Sequence, residues 1–143
     1  MKKRAKKFIF FQSIPPYRSE VLVCAGITLE ETKAYAKKEV APVYKKEYLE
    51  WLDSHEEQFE LIAKKKMLGF SLIRRETGDL LLILEDYRDE WWYWECLIHE
   101  LHHLVEYISE MKMLDGEIEA KAYLQEWLFH SIRRKLQKVD KLS

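Results

Sequence analysis

The segment from Asp89 to Glu110 constrains the fold more than any other, because its apolar residues recur at helical spacing over about six turns. On a helical projection, Trp94, Leu97, Leu101, Leu104, Val105 and Ile108 gather on one side. Trp92, His99, His103 and Glu106 gather on roughly the opposite side. A helix this apolar needs a core to pack on and cannot be peripheral. Its other face carries H-E-x-x-H, as His99-Glu100-Leu101-His102-His103. Two histidines one turn apart present their rings on the same face, so both imidazoles can bind one Zn²⁺. A glutamate beside them can polarise a water on that metal. The bland reading is a solvated polar face, which this combination of residue types in an apolar helix disfavours.

A catalytic zinc takes three protein ligands and keeps one position open. The helix expected from Glu117 to about Lys138 offers the third. Glu119, Tyr123, Glu126 and His130 fall on one stripe, beside an apolar side of Ala120, Leu124, Trp127 and Leu128. A short link makes the two helices antiparallel neighbours. Glu119 is the expected ligand, Glu126 the fallback, and Glu117 the weaker choice. Asp115 is the expected N-cap. There is a geometric tension: His103 is nearly two turns from the end of its helix, so either that helix ends early or the link climbs back to bring Glu119 level with it.

Ahead of this pair, Lys7 to Gln12 and Glu20 to Ala25 read as strands, the second stopped by Gly26. Thr28-x-x-Glu31 is a capping box that starts a helix to Lys38, and Pro42 opens another to about Leu52. Ser54-x-x-Glu57 predicts a third, ending in Lys64-Lys65-Lys66. Gly69 to Arg75 and Asp79 to Glu85 flank Glu76-Thr77-Gly78 and predict a hairpin. Residues 1–6 read as a loose basic tail and Ser13 to Tyr17 as a turn or extended link.

The whole chain of 143 residues is expected to be one domain. Its hydrophobic fraction of 48%, charged fraction of 34% and net charge of −1 describe an ordinary globular chain. They argue against a nucleic-acid partner and against disorder. No run has the length of a membrane span or the form of a signal peptide. Cys24 and Cys96 stand far apart and read as two reduced, packed thiols, consistent with a cytoplasmic location.

His99-Glu100-Leu101-His102-His103 followed by Glu119-Ala120 resembles the gluzincin metallopeptidases, the thermolysin-like group. Glu117-Ile118-Glu119-Ala120 is similar to the E-x-E-A segment of ImmA/IrrE-type proteases. Glu119-Ala120-Lys121-Ala122-Tyr123-Leu124 resembles small phage or prophage proteins in which H-E-x-x-H is followed by E-A-x-A-Y-L. The resemblance spans about Gly69 to Leu128 and leaves the residues before it unmatched. It implies an α+β domain with a minimal zincin-like core, in which a small antiparallel sheet or hairpin packs on helices. It implies zinc held by His99, His103 and Glu119, with Glu100 as the general base for hydrolysis of a protein or peptide. The hairpin would supply the cleft edge. The extra histidine or tyrosine that some such enzymes use for the oxyanion has no clear counterpart here; Tyr123 and His130 lie on the right stripe as candidates, and the plainer reading of each is packing or a hydrogen bond behind the ligands. The alternative is a non-catalytic mobile-element protein that keeps this fold and binds a protein partner. A regulator-cleaving protease is a weaker third reading, since no sensor or DNA-binding segment is recognisable.

Among the remaining residues, His102 points away from the pair and His55 is expected to face solvent. Cys96 is expected to pack, as are Trp91 and Trp94. Trp92 shares the histidine side and is a candidate cleft wall.

Overall fold

Val21-Leu22-Val23-Cys24-Ala25 and Leu80-Leu81-Leu82-Ile83-Leu84 are apolar at every position, and every one of these residues is buried. Strands of this kind, without alternation, belong in the middle of a sheet covered on both faces. They form the centre of the computed structural model, which describes residues 6–14, 17, 19–112 and 117–142.

The strands are β1 (Phe8–Ile14), β2 (Ser19–Ala25), β3 (Gly69–Arg74) and β4 (Asp79–Leu84), in the spatial order β1-β2-β4-β3. β2 runs parallel to β4, with Val21 opposite Leu80 and Ala25 opposite Leu84. β1 and β3 pair antiparallel with β2 and β4 and form the two edges. The expected small antiparallel sheet is therefore corrected to a mixed one of four strands. Parallel neighbours need a crossover, and the helices between β2 and β3 provide it.

These helices are α1 (Leu29–Glu39), α2 (Pro42–Asp53) and α3 (Glu56–Ala63). Ala36, Tyr48, Leu52, Phe59 and Ile62 bury against Leu22, Cys24, Leu81 and Ile83 on one face of the sheet. The other face carries α4 (Trp91–Met111) and α5 (Ile118–Leu142). Leu97, Leu101, Leu104, Leu128, Ile132 and Leu136 pack there on Val21, Val23, Leu80 and Leu82. Each fully buried aliphatic side chain contributes about 1.5–3 kcal/mol of transfer free energy, which anchors α4 along its length.

Local chemistry sets the helix starts. Thr28 Oγ1 accepts from Glu31 N–H and Glu31 Oε1 accepts from Thr28 N–H, both at 3.1 Å, which completes the capping box. No capping box forms at Ser54. Its hydroxyl turns back to the Trp51 carbonyl at 2.6 Å, and His55 takes the N-cap position. His55 is half-buried with its ring edge-on to Trp51, which corrects the expectation that it faces solvent. Past α3, Lys65 adopts a left-handed conformation with φ 58°, and Lys66 N–H donates to Leu61 O, so the lysine run forms the helix stop.

Trp91 is 70% exposed, contrary to the expectation that it packs. Tyr93 takes the core place, and its hydroxyl donates to Glu85 O at 2.9 Å. Trp94 is half-buried and packs on the core. Lys6, read as part of the tail, pairs with Tyr87 in a short antiparallel bridge. The rest of the tail, the Pro15-Pro16 link, the connection over 113–116 and the Asp115 cap lie outside the described residues. No helix among the described residues is long and apolar enough to cross a membrane.

Candidate metal centre

α4 brings His99, Glu100 and His103 together, with Glu100 on the flank that meets the edge strand β3. Their potential ligand atoms all lie within 4.8 Å of one another, and among the described residues this is the cluster able to hold a metal ion. The two Nε2 atoms are 3.2 Å apart. Nitrogens bound to one tetrahedral zinc at about 2.0–2.1 Å stand about 3.3 Å apart, so the pair is spaced as metal ligands require. His99 is exposed, which leaves the outer side of the pair open to solvent.

Glu100 differs from the histidines in being only 6% exposed. It lies against β3, where a Cβ on Gly69 would stand 3.1 Å from Glu100 Cγ and 2.8 Å from Cys96 Sγ. Glycine thus lets strand and helix approach closely. Ser71, two residues further along β3, is also buried. Burial pushes the Glu100 carboxyl above the usual carboxylate range, opposed by the His103 and His99 rings and then by Ser71. Glu100 Oε2 is buried without a hydrogen-bond partner. Such an orphaned buried carboxylate oxygen is costly.

The donor set fits a divalent transition metal: two imidazoles at ligand spacing, with a carboxylate next to them. α5 does not bring the expected third ligand to this group. α5 meets α4 through Ile98, Glu106 and Trp94: Gln125 Nε2 donates to Ile98 O at 3.3 Å, Lys121 pairs with Glu106 at 3.4 Å and Phe129 stacks edge-on to Trp94. Glu119, Tyr123, Glu126 and His130 are all exposed. His130 lies 3.9 Å from Glu126 on its own helix. The stripe exists, but the rotation of α5 about its axis turns Lys121 and Gln125 toward α4 instead.

Cys96 is half-buried, and its thiol is pushed up to about 12 by burial and by the Glu100 and Glu85 carboxylates, so it is not a ready thiolate. Trp92 is half-buried and packs edge-on to Tyr93 at 5.7 Å. His102 is exposed. The site residue that sequence reasoning missed is Gly69. A glycine at the start of a strand is a signal of close backbone approach, but nothing local says which helix approaches it. Comparison of the chain with protein-family models, curated proteins and solved structures returns no match.

Proposed function

We propose that this chain is a zinc-dependent metallopeptidase with His99 and His103 as metal ligands and Glu100 as general base. The observation that carries the reading is the buried Glu100, with one oxygen unpartnered, beside two imidazole nitrogens 3.2 Å apart. A purely structural site has no need of a desolvated carboxylate at that place. A bound zinc ion would supply Lewis acidity there. Glu100 takes a proton from the attacking water and returns it to the departing amine nitrogen. Its raised affinity for a proton suits both halves of that exchange. The close approach at Gly69 seats the Glu100 side chain against β3. The free edge of β3 offers backbone groups on which an extended peptide can pair as an added strand. The roles that the gluzincin resemblance implies for Glu119, Tyr123 and His130 require α5 to turn toward the pair when metal binds.

The test is hydrolysis of a labelled unstructured protein, such as casein, by the zinc-loaded chain and by Glu100→Gln. The proposal expects the variant to keep its zinc and to lose hydrolysis by at least about 100-fold. Equal hydrolysis by both would remove Glu100 from its role.

A second reading is a non-catalytic mobile-element protein that binds a partner. The outward stripe of α5 favours it, because two histidines without a third ligand make a weak site. On this reading the 3.2 Å contact is an N–H···N hydrogen bond, and the chain stays zinc-free when zinc is supplied.

A further inference from the structure

We propose that the open cleft between the starts of β2 and β4 and the corner joining α1 to α2 binds a small aliphatic diamine, with Glu20 and Glu39 taking its two ammonium ends and Tyr48 hydrogen-bonding one of them. The cleft has a volume of about 840 Å³ and lies on the sheet face that α1, α2 and α3 cover, opposite the face that carries α4.

Strand register builds its floor. Glu20 pairs with Ser13 at the start of β2, and Asp79 pairs with Arg74 at the start of β4. Because Val21 stands opposite Leu80, Glu20 and Asp79 enter neighbouring parallel strands side by side. Like charges in such positions repel unless a cation joins them. Arg74 is the guanidinium of this cleft, and it is already shared, at 3.5 Å from Glu47 and 4.0 Å from Asp79. Glu20 and Glu39 line the cleft as well, and among the described residues neither makes an ion pair. A bare metal ion would draw three or more ligating side chains together, and among the described residues the group that does so is the one on α4.

The walls are aromatic. Phe11 has Tyr35 and Tyr48 as ring neighbours, with centroids 5.8 and 6.5 Å away. Such rings attract both the methylene groups and the charge of an organic ammonium. Two unpaired carboxylates in separate places, Glu20 on the floor and Glu39 at the end of α1, match two positive ends joined by an apolar chain. Tyr48 is the independent sign of a ligand. It is only 4% exposed, and it borders both this cleft and the adjoining cavity that Glu20 and Asp79 also line. Its hydroxyl has no hydrogen-bond partner, which is costly for a buried group. An ammonium N–H donated to the Tyr48 oxygen removes that cost.

Isothermal titration calorimetry of the full-length, metal-free chain at low salt tests the assignment with cadaverine, n-pentylamine and pentanol. Cadaverine is expected to saturate one site per chain, n-pentylamine to bind about fivefold more weakly, and pentanol not to bind. Glu20→Gln and Glu39→Gln each weaken cadaverine about fivefold. Both carboxylates are exposed, so these variants keep the fold, which circular dichroism verifies. Tyr48→Phe keeps the ring and weakens both amines about tenfold. No binding of cadaverine, equal binding of cadaverine and pentanol, or unchanged cadaverine affinity in the glutamine variants or in Tyr48→Phe overturns the proposal. Trilysine binding more tightly than cadaverine assigns the cleft to a basic protein segment and overturns the small-molecule reading. The metal centre stands apart from all of these outcomes, since no residue of the cleft belongs to it.

Discussion

The Nε2 atoms of His99 and His103 face each other at 3.2 Å across one turn of α4. Two arrangements share that spacing, a common metal ion and a hydrogen bond between one protonated and one bare nitrogen. They differ in what they ask of Glu100. A hydrogen-bonded histidine pair at the surface gives no reason for a neighbouring carboxylate to be buried with an empty acceptor. A metal centre does, because a desolvated carboxylate with spare acceptor capacity is what proton transfer from water needs.

The strain carried by Glu100 predicts a trade of stability for function. Its folded-state pKa lies above the ordinary value, so the neutral carboxyl is the form that folding favours. That contribution is fully present below the unfolded pKa and is lost as pH rises through the folded one. At pH 7 the metal-free wild type therefore bears a penalty that Glu100→Gln escapes. The variant is expected to be more stable by about 1 kcal/mol, or about 2–4 °C in melting temperature. Near pH 4 the difference closes. Thermal melts of both metal-free chains at the two pH values check this, and equal melting points at pH 7 contradict it.

Much of the fold could be read from the chain because the signals were local. Thr28 and Glu31 specify a cap within four residues, and the apolar stripe of α4 announces its buried side. Ser54 carried the same cap pattern and failed, because its hydroxyl found the Trp51 carbonyl one turn back. The parallel pairing of β2 with β4 was written in two uniformly apolar runs, yet it joins residues nearly sixty positions apart, beyond any local rule. The site divides in the same way. Helical spacing alone brings His99, Glu100 and His103 together. The meeting of Glu100 with Gly69 depends on how α4 lies on the sheet. The failure of the Glu119 stripe to face the histidines depends on the roll of α5, which an amphipathic pattern fixes only loosely.

Trp91 and Leu101 make a second test, of which α4 residues hold the fold. Leu101 is fully buried between helix and sheet, and Leu101→Ala should cost about 2–5 kcal/mol. Trp91 is 70% exposed in the first turn, and Trp91→Ala should change stability by less than about 0.5 kcal/mol. Urea denaturation of both variants distinguishes them; a large loss in Trp91→Ala would mean that the start of α4 packs differently.

The buried thiols predict alkaline sensitivity. Burial pushes both Cys24 and Cys96 up to about 12, and raises the Tyr48 and Tyr93 hydroxyls above their ordinary range. Groups raised in the folded state contribute stability that is complete below their unfolded pKa and is lost as pH climbs through the folded value. The melting temperature should therefore hold up to about pH 8.5 and fall steadily toward pH 12. Cys24→Ala, at the cost of a small cavity, should make the fall shallower. In the folded chain at pH 8, Cys24 should react with a thiol reagent only as fast as the protein opens. Rapid labelling of Cys24 in the native state would contradict its placement.

Gly26 ends β2 with φ 69° and lies so close to Asp86 that a Cβ would stand 2.9 Å from the Asp86 Cα. Gly26→Ala meets both the left-handed backbone and that contact, and should destabilise the chain by at least about 1–2 kcal/mol. Chemical denaturation gives the value directly, and a neutral effect would show that the turn between β2 and α1 has room to shift.

The central claim is that His99 and His103 form a metal centre with Glu100 at its side, and metal content tests it most directly. The full-length chain and His99→Ala, each supplied with zinc, desalted and confirmed folded by circular dichroism, are assayed by elemental mass spectrometry. The account predicts about one zinc per wild-type chain and none in His99→Ala, with unchanged helix content because His99 is exposed. A folded wild-type chain that retains no zinc would contradict it and would leave the 3.2 Å contact as a hydrogen bond between two surface histidines.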